Sequence, residues 1–279
     1  PSAFRCPLSA FRFPLAAFRF PVYFPCMSAV AIIPARWAST RFPGKPLYPI
    51  LGKPLIQHVW ERCQKAKSVT QTIVATDDMR IAEAAFAFGA EVSFTSPKHP
   101  SGTDRIAEVA SRLRGIRHVI NVQGDEPALD PRLIDRLVQV LQKHPKLEMV
   151  TAASPFTDES DAVNPNNVKV VTALDGRALY FSRSLIPFAR DGRRPGSSRT
   201  AGNSLLWHIG IYGYRRDFLM QFVRWKPTPL EETEKLEQLR ALEHGASIHV
   251  VRTTRHSMGV DTPEDVHRAI AALTPKARK

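Results

Sequence analysis

The sequence predicts an α/β protein built on a mixed, mostly parallel sheet with helices on both faces. Three observations predict it. Short apolar runs alternate with amphipathic helical patterns from about residue 29 to 144, the order that winds a parallel sheet between two helical layers. After residue 148 strands follow one another with fewer helices, so mixed or antiparallel additions to the same sheet are expected. The residues with distinctive chemistry directly follow strands, where ligands of such sheets bind.

"AVAIIP" (29–34) is the first strand. "PLIQHVWERCQKA" (54–66) sets Leu55, Ile56, Val59, Trp60 and Cys63 at helical spacing, so it is an amphipathic helix. "QTIVAT" (71–76) is a strand, "DMRIAEAAFAFG" (78–89) a helix ended by Gly89, and "AEVSFT" (90–95) a strand. "SGTDRIAEVASRL" (101–113), "RHVINVQ" (117–123) and "PRLIDRLVQVLQKH" (131–144) continue as helix, strand and helix. Beyond them, "EMVTAAS", "VKVVTA", "ALYFS", "HIGIYGY" and "SIHVVR" are strands. A flexible basic loop is expected around 190–204. One helix is predicted over "PLEETEKLEQLRALEHG" (229–245), and a last one after Thr262.

Residues 1–26 stand apart. Residues 2–22 read SAFRCPL, SAFRFPL and AAFRFPV, a seven-residue unit copied three times. A proline in every copy forbids a continuous helix, and recurring arginines break any signal-peptide core. Met27 is read as the natural start, with 1–26 as an extension from upstream sequence. A targeting arm is the alternative.

The 279 residues are 43% hydrophobic, which suits a globular protein with a real core. No apolar run is long enough to span a membrane. The formal charge of +13 raises a nucleic-acid-binding alternative. The basic residues are scattered, however, with one cluster at 190–199, and an anionic small substrate accounts for local positive charge as well. Cys6, Cys26 and Cys63 offer neither a disulfide framework nor a cysteine metal site, and a reducing cytoplasm is the simplest setting.

The stretch "IIPARWASTRFPGKPL" (32–47) places Arg36, Arg41 and Lys45 with Gly44 immediately after the first strand. Arg and Lys neutralise and orient phosphates, and glycine lets backbone approach them. The loop is not a Walker A motif, because Gly44-Lys45 is followed by proline, and there is no G-x-G-x-x-G fingerprint. Two aspartates also follow apolar strands or glycine turns. Asp125 lies in "VINVQGDEP" and Asp261 in "GVDTPED". Taken alone, Gly-Asp is a plain turn. Thr262, Pro263 and Asp265 suffice to start the last helix, which leaves Asp261 free to face a cleft. Mg²⁺ takes one or two carboxylates plus phosphate oxygens and water, and these two supply that number.

The loop resembles the N-terminal signature of the 3-deoxy-manno-octulosonate (Kdo) cytidylyltransferases. The resemblance extends over nearly all of 28–271 through "IVATDD", "SGTDR", "VINVQGDEP", "NPNNVKVV", "ALYFSR", "HIGIYGYR", "LEQLR" and "GVDTPED". Trp37 and Phe42 depart from the family pattern, and 1–26 has no counterpart in it. The resemblance implies a Rossmann-like, GT-A-like nucleotide-diphospho-sugar transferase fold. A nucleotide-binding part would run to about residue 150, and a sugar-binding and dimerisation part over 151–279. It implies the reaction CTP + Kdo → CMP-Kdo + diphosphate, a step towards lipopolysaccharide, in a cytoplasmic homodimer. Arg36 and Lys45 would act on the phosphates. Ala35, Ser39, Thr76, Asp77, Ser101, Gly102, Arg105 and Gln123 would join them around the nucleotide, and Asp125 and Asp261 would hold Mg²⁺.

Kdo carries one carboxylate and many hydroxyls, so its site needs a cation and mixed donors and acceptors. Arg183 follows the strand "ALYFS". His208 and Tyr212 are four apart in a strand and share a face. Glu237 and Gln238 sit mid-helix in the expected 229–245 element. Each also has a plainer reading: His208 as a satisfied sheet histidine, Glu237 as a solvated helix face, Asp77 or Asp78 as a helix cap. Their match to the family's sugar and nucleotide positions favours binding roles. A cytidylyltransferase for sialic acid or 8-amino-Kdo is the nearest alternative. Sialate enzymes continue "IPAR" with a Gly-Ser-Lys pattern that this loop lacks.

Overall fold

The computed structural model describes residues 28–38, 42–190, 205–254 and 259–274. The expectations for residues 1–26, for Ser39 and for the basic loop beyond residue 190 therefore fall outside the described residues.

Strand β1 (Ser28–Ala35) is followed by a 3₁₀ turn (Lys45–Leu47) and a small hairpin of β2 (Pro49–Ile50) and β3 (Lys53–Pro54). Then come α1 (Leu55–Cys63), β4 (Val69–Thr76), α2 (Met79–Ala87), β5 (Glu91–Phe94), α3 (Gly102–Arg112), β6 (Ile116–Asn121) and α4 (Pro131–Lys143). The later part holds β7 (Met149–Pro155), α5 (Glu159–Val163), β8 (Lys169–Thr172), β9 (Ala178–Ser182), β10 (Leu206–Arg215) and α6 (Arg216–Phe222). It closes with α7 (Pro229–Glu234), α8 (Gln238–Glu243), β11 (Ile248–Arg252) and α9 (Asp265–Leu273).

One sheet of order β11-β7-β10-β6-β1-β4-β5 runs through both parts, with β8 and β9 added beside β10. β1 pairs in parallel with β4 and β6, β4 with β5, and β7 with β11. β10 runs against β6, β7 and β8. The mixed, mostly parallel sheet is thus as expected, and the reversal falls in the later part. The period of two along β1 divides its side chains between two cores. Ala29, Ala31 and Ile33 pack with α1 and α4, while Val30 and Ile32 pack with α3 and α6. Cys63 is fully buried in the first core, where burial pushes its thiol up to about 12. It is a packing residue.

The expected helix over 229–245 is broken in two. Lys235 adopts a left-handed conformation, with φ 52° and ψ 47°, which is rare for a residue with a Cβ. Tertiary contacts hold this elbow. Glu234 accepts from Ser182 Oγ at 2.6 Å and Arg183 N at 2.9 Å, and Arg240 folds back onto Glu231 at 2.6 Å. Consequently Glu237 and Gln238 are not mid-helix: they stand at the start of α8. The last helix begins at Asp265 rather than at Pro263, with Asp265 Oδ2 accepting from the amides of Asp261 (3.0 Å) and Thr262 (2.9 Å). Helices α5 and α6 are additional to the elements read from the sequence.

Candidate active site

Two cavities open above the carboxyl ends of β1 and β6. The smaller, about 270 Å³, is lined by Ala35 and Arg36 after β1, Lys45, Ser101 and Gly102 at the start of α3, Arg105, and Gln123 to Asp125 after β6. The larger, about 640 Å³, is lined by Asp161, Asn164, Asn166, Asn167, Trp207, His208, Tyr212, Glu237, Gln238 and Arg268. Gln123, Asp125 and Asp261 line both. A ligand in each cavity would therefore meet its neighbour at the two aspartates.

Local sequence builds the smaller cavity. At Gly124 a Cβ would stand 3.1 Å from the Pro34 carbonyl oxygen, so glycine lets the β6 loop close over β1 without displacing that backbone. Ser101 caps α3 by accepting from Asp104 N at 3.2 Å. The unpaired amides of that first turn face an incoming acceptor. Arg105 is almost fully buried. It donates to Thr95 Oγ1 at 2.5 Å and lies 3.1 Å from Asp77. Lys45 Nζ lies 2.6 Å from Asp125 Oδ2 and 3.2 Å from Asp261 Oδ1. Burial alone would lower the Lys45 ammonium, but the two carboxylates outweigh it and hold its pKa above the usual lysine value. A positive centre thus sits beside two negative ones at the junction.

The larger cavity has a different character. Its lining mixes amides and carboxylates with the rings of Trp207, His208 and Tyr212. His208 is buried and lies 3.0 Å from Thr151 Oγ1, and burial pushes its imidazole down to about 3. It is uncharged at neutral pH. Burial raises the Tyr212 phenol, with Glu237 adding to the effect. Burial also raises Glu237, against the hydrogen bond from Thr103 Oγ1 at 2.5 Å. Gln238 is 4% exposed, and its Nε2 has no hydrogen-bond partner among the described residues. Such a buried, unsatisfied donor is costly unless a ligand oxygen completes it.

Not every expected site residue reaches a cavity. Arg183 lines neither. Its guanidinium donates to the carbonyls of Glu234 (2.7 Å), Pro165 (3.1 Å) and Lys235 (3.4 Å), so it clasps the α7–α8 elbow instead of facing a carboxylate. Thr76 is fully buried, and its hydroxyl accepts from Asp78 N at 3.2 Å. Asp77 stands behind Arg105, and Asp78 caps α2 by accepting from Arg80 N at 3.0 Å. Conversely, Asn164, Asn166, Asn167, Trp207 and Arg268 line the larger cavity without having been singled out. The Asn-Pro-Asn-Asn run at 164–167 was the available signal, because amides clustered off any helical or strand period suit hydroxyl recognition. His99 joins the smaller cavity, its Nε2 2.5 Å from Glu108.

The cytidylyltransferase family model matches residues 30–248. The 3-deoxy-manno-octulosonate cytidylyltransferase of Geobacter sulfurreducens is 52% identical over 250 residues, covering 88% of this chain and all of that protein. A namesake from Actinobacillus pleuropneumoniae is 48% identical, covering 90% and 100%. A solved CMP:2-keto-3-deoxy-manno-octonic acid synthetase in complex with CTP superposes with a TM-score of 0.81 at 40% identity, covering 88% of this chain and 97% of that one. At 14% identity, a 4-diphosphocytidyl-2C-methyl-D-erythritol synthase from Anaerococcus prevotii shares the fold, with a TM-score of 0.59.

Proposed function

The chain belongs to the 3-deoxy-manno-octulosonate cytidylyltransferase family, and from that premise we infer how its two cavities carry out CTP + Kdo → CMP-Kdo + diphosphate. CTP takes the smaller, cationic cavity and Kdo the larger, amide-lined one. The observation that carries this assignment is their junction at Gln123, Asp125 and Asp261. The smaller cavity is built from residues up to 125 plus Asp261, and most of the larger one comes from residues after 160. This supports dividing the chain near 150 into nucleotide and sugar parts.

The anomeric 2-hydroxyl of Kdo attacks the α-phosphorus in line. A bond forms between that oxygen and phosphorus, the bond to the bridging oxygen breaks, the hydroxyl proton is released and diphosphate leaves. No protein nucleophile is needed. Catalysis is positioning plus charge stabilisation. Arg36 and Lys45 hold the phosphates. Gly102 leaves the α3 amides open to the base, with Gln123 beside it. His208, Tyr212, Gln238 and the 164–167 amides take the sugar hydroxyls. Arg268 is the described cation of the larger cavity and meets the Kdo carboxylate.

Asp125 and Asp261 would hold Mg²⁺. Their fit rests on Lys45 Nζ, which lies within hydrogen-bonding reach of both, so one cation is within reach of the pair. When bound, the ion neutralises phosphate charge. We also propose a homodimer, supported by the exposed Leu179, Leu185 and Phe188 near β9, and a cytoplasmic setting, where CTP is available. The decisive experiment is diphosphate release from CTP with and without Kdo. Release that ignores Kdo, or that prefers sialic acid, overturns the assignment.

A further inference from the structure

Trp37 is the departure from the family pattern that the reaction leaves unexplained. It directly follows Arg36, and its carbonyl accepts from Gly44 N at 3.2 Å, one residue before Lys45. That bond pins the two ends of the phosphate loop together. The indole fills the space inside the pin. A Cβ on Gly44 would stand 3.0 Å from the ring's Cζ-side edge atom Cη2, and Gly44 holds φ +71° there. Over the face of the ring the Arg80 guanidinium lies 3.5 Å from the centroid. Arg80 is itself fixed, donating to both oxygens of Asp78 at 2.9 and 2.6 Å. Asp78 in turn caps α2. An unbroken series of contacts therefore runs from the start of a helix, through a guanidinium and an indole, to the backbone between Arg36 and Lys45.

Trp37 packs at the edge of the first core, but packing alone does not require a cation on its ring. Trp37 is only partly buried, and the cation above it is mostly exposed. A guanidinium held by a bidentate carboxylate stacks on an aromatic face with little further loss of freedom. We propose that Trp37, in contact with both Gly44 and Arg80, is a positioning residue that sets the separation of Arg36 and Lys45 for the phosphates of CTP. The proposal rests on Arg36 and Lys45 being phosphate ligands. Small misplacements of such groups are costly even when the groups themselves are intact.

Steady-state kinetics with each substrate varied separately test it, alongside thermal unfolding. Trp37→Ala is expected to raise the KM for CTP about 10- to 30-fold while the KM for Kdo stays within about twofold. Trp37→Phe, which keeps a stacking ring, recovers most of the loss. Arg80→Gln gives part of it, and the double variant Trp37→Ala/Arg80→Gln is no worse than Trp37→Ala, because both residues act through one contact. An unchanged KM for CTP in Trp37→Ala overturns the proposal. So does an equal rise for both substrates with a lowered melting temperature, the signature of a merely structural residue, and so do effects that multiply in the double variant. Lys45→Ala separates the two levels. If it leaves the KM for CTP unchanged, the phosphate role of the loop fails; if it raises that KM and Trp37→Ala does not, only the positioning role fails.

Discussion

Neutralising each of the two junction aspartates should affect activity alike and stability unequally. Asp125 Oδ2 lies 2.6 Å from Lys45 Nζ, with side chains 26% and 16% exposed. Asp261 Oδ1 lies 3.2 Å away and is 58% exposed. A charge-assisted bond in a partly buried site is worth about 1.5–3 kcal/mol, whereas an exposed ion pair is worth about 0.2–1 kcal/mol. For a domain of this size each kcal/mol moves the melting temperature by about 2–4 °C. Asp125→Asn should therefore lower it by about 3–12 °C, and Asp261→Asn by no more than about 4 °C. Relief of carboxylate repulsion is not the governing term, because the Lys45 ammonium bonds to both. Turnover is a separate matter. If both residues serve one cation, as proposed, each variant should lose at least about a hundredfold in diphosphate release and shift the Mg²⁺ dependence. The double variant should be little worse than either single one. Melting curves without Mg²⁺, and diphosphate release across a Mg²⁺ series, provide the two readouts. Wild-type turnover and metal dependence in Asp261→Asn would sink the two-carboxylate site. Equal melting losses would sink the argument from exposure.

Arg183→Ala should lower the melting temperature, because the elbow carbonyls of Glu234 and Lys235 lose their donor. The KM for CTP should hold, and an unchanged melting temperature would refute the clasp. Glu237→Gln should gain stability at pH 8 and none near pH 4. Burial raises the Glu237 carboxyl, so its contribution is fully present below the ordinary glutamate value and is lost as pH rises; equal gains at both pH values would contradict this. His118 and His208 work in the opposite sense. Burial pushes them to about 4 and about 3, so their stabilisation is full above about pH 6.5 and is lost as pH falls. Each costs up to about 1.4 kcal/mol per pH unit below that, and a stability profile flat from pH 7 to 5 would rule it out.

Much of the site was legible because the sheet simplifies the reading. Every strand of a parallel sheet sends its next residue to the same edge, so Arg36 after β1 and Asp125 after β6 can be placed near each other without coordinates. The nearly unbroken apolar run of β1, buried on both faces, announces a central strand. These are local signals with a single structural meaning.

Arg183 illustrates what is not local. An arginine after a strand reads the same whether it meets a substrate carboxylate or three backbone carbonyls. What decides is the break at Lys235, and nothing within "EETEKLEQLR" announces one. Its residues are good helix formers, and periodicity runs through the break. The left-handed turn exists because Glu234 is drawn to Ser182 and Arg183, and Glu231 to Arg240. The first of these bonds spans 52 residues. The elbow places Glu237 and Gln238 on the cavity wall instead of on a continuous helix face. The same contact that removes Arg183 from the site therefore delivers two other polar side chains to it. Periodicity misread the element that carries Glu237 and Gln238, which line the larger cavity, because a run of good helix formers records local preference and not the distant contacts that bend the backbone.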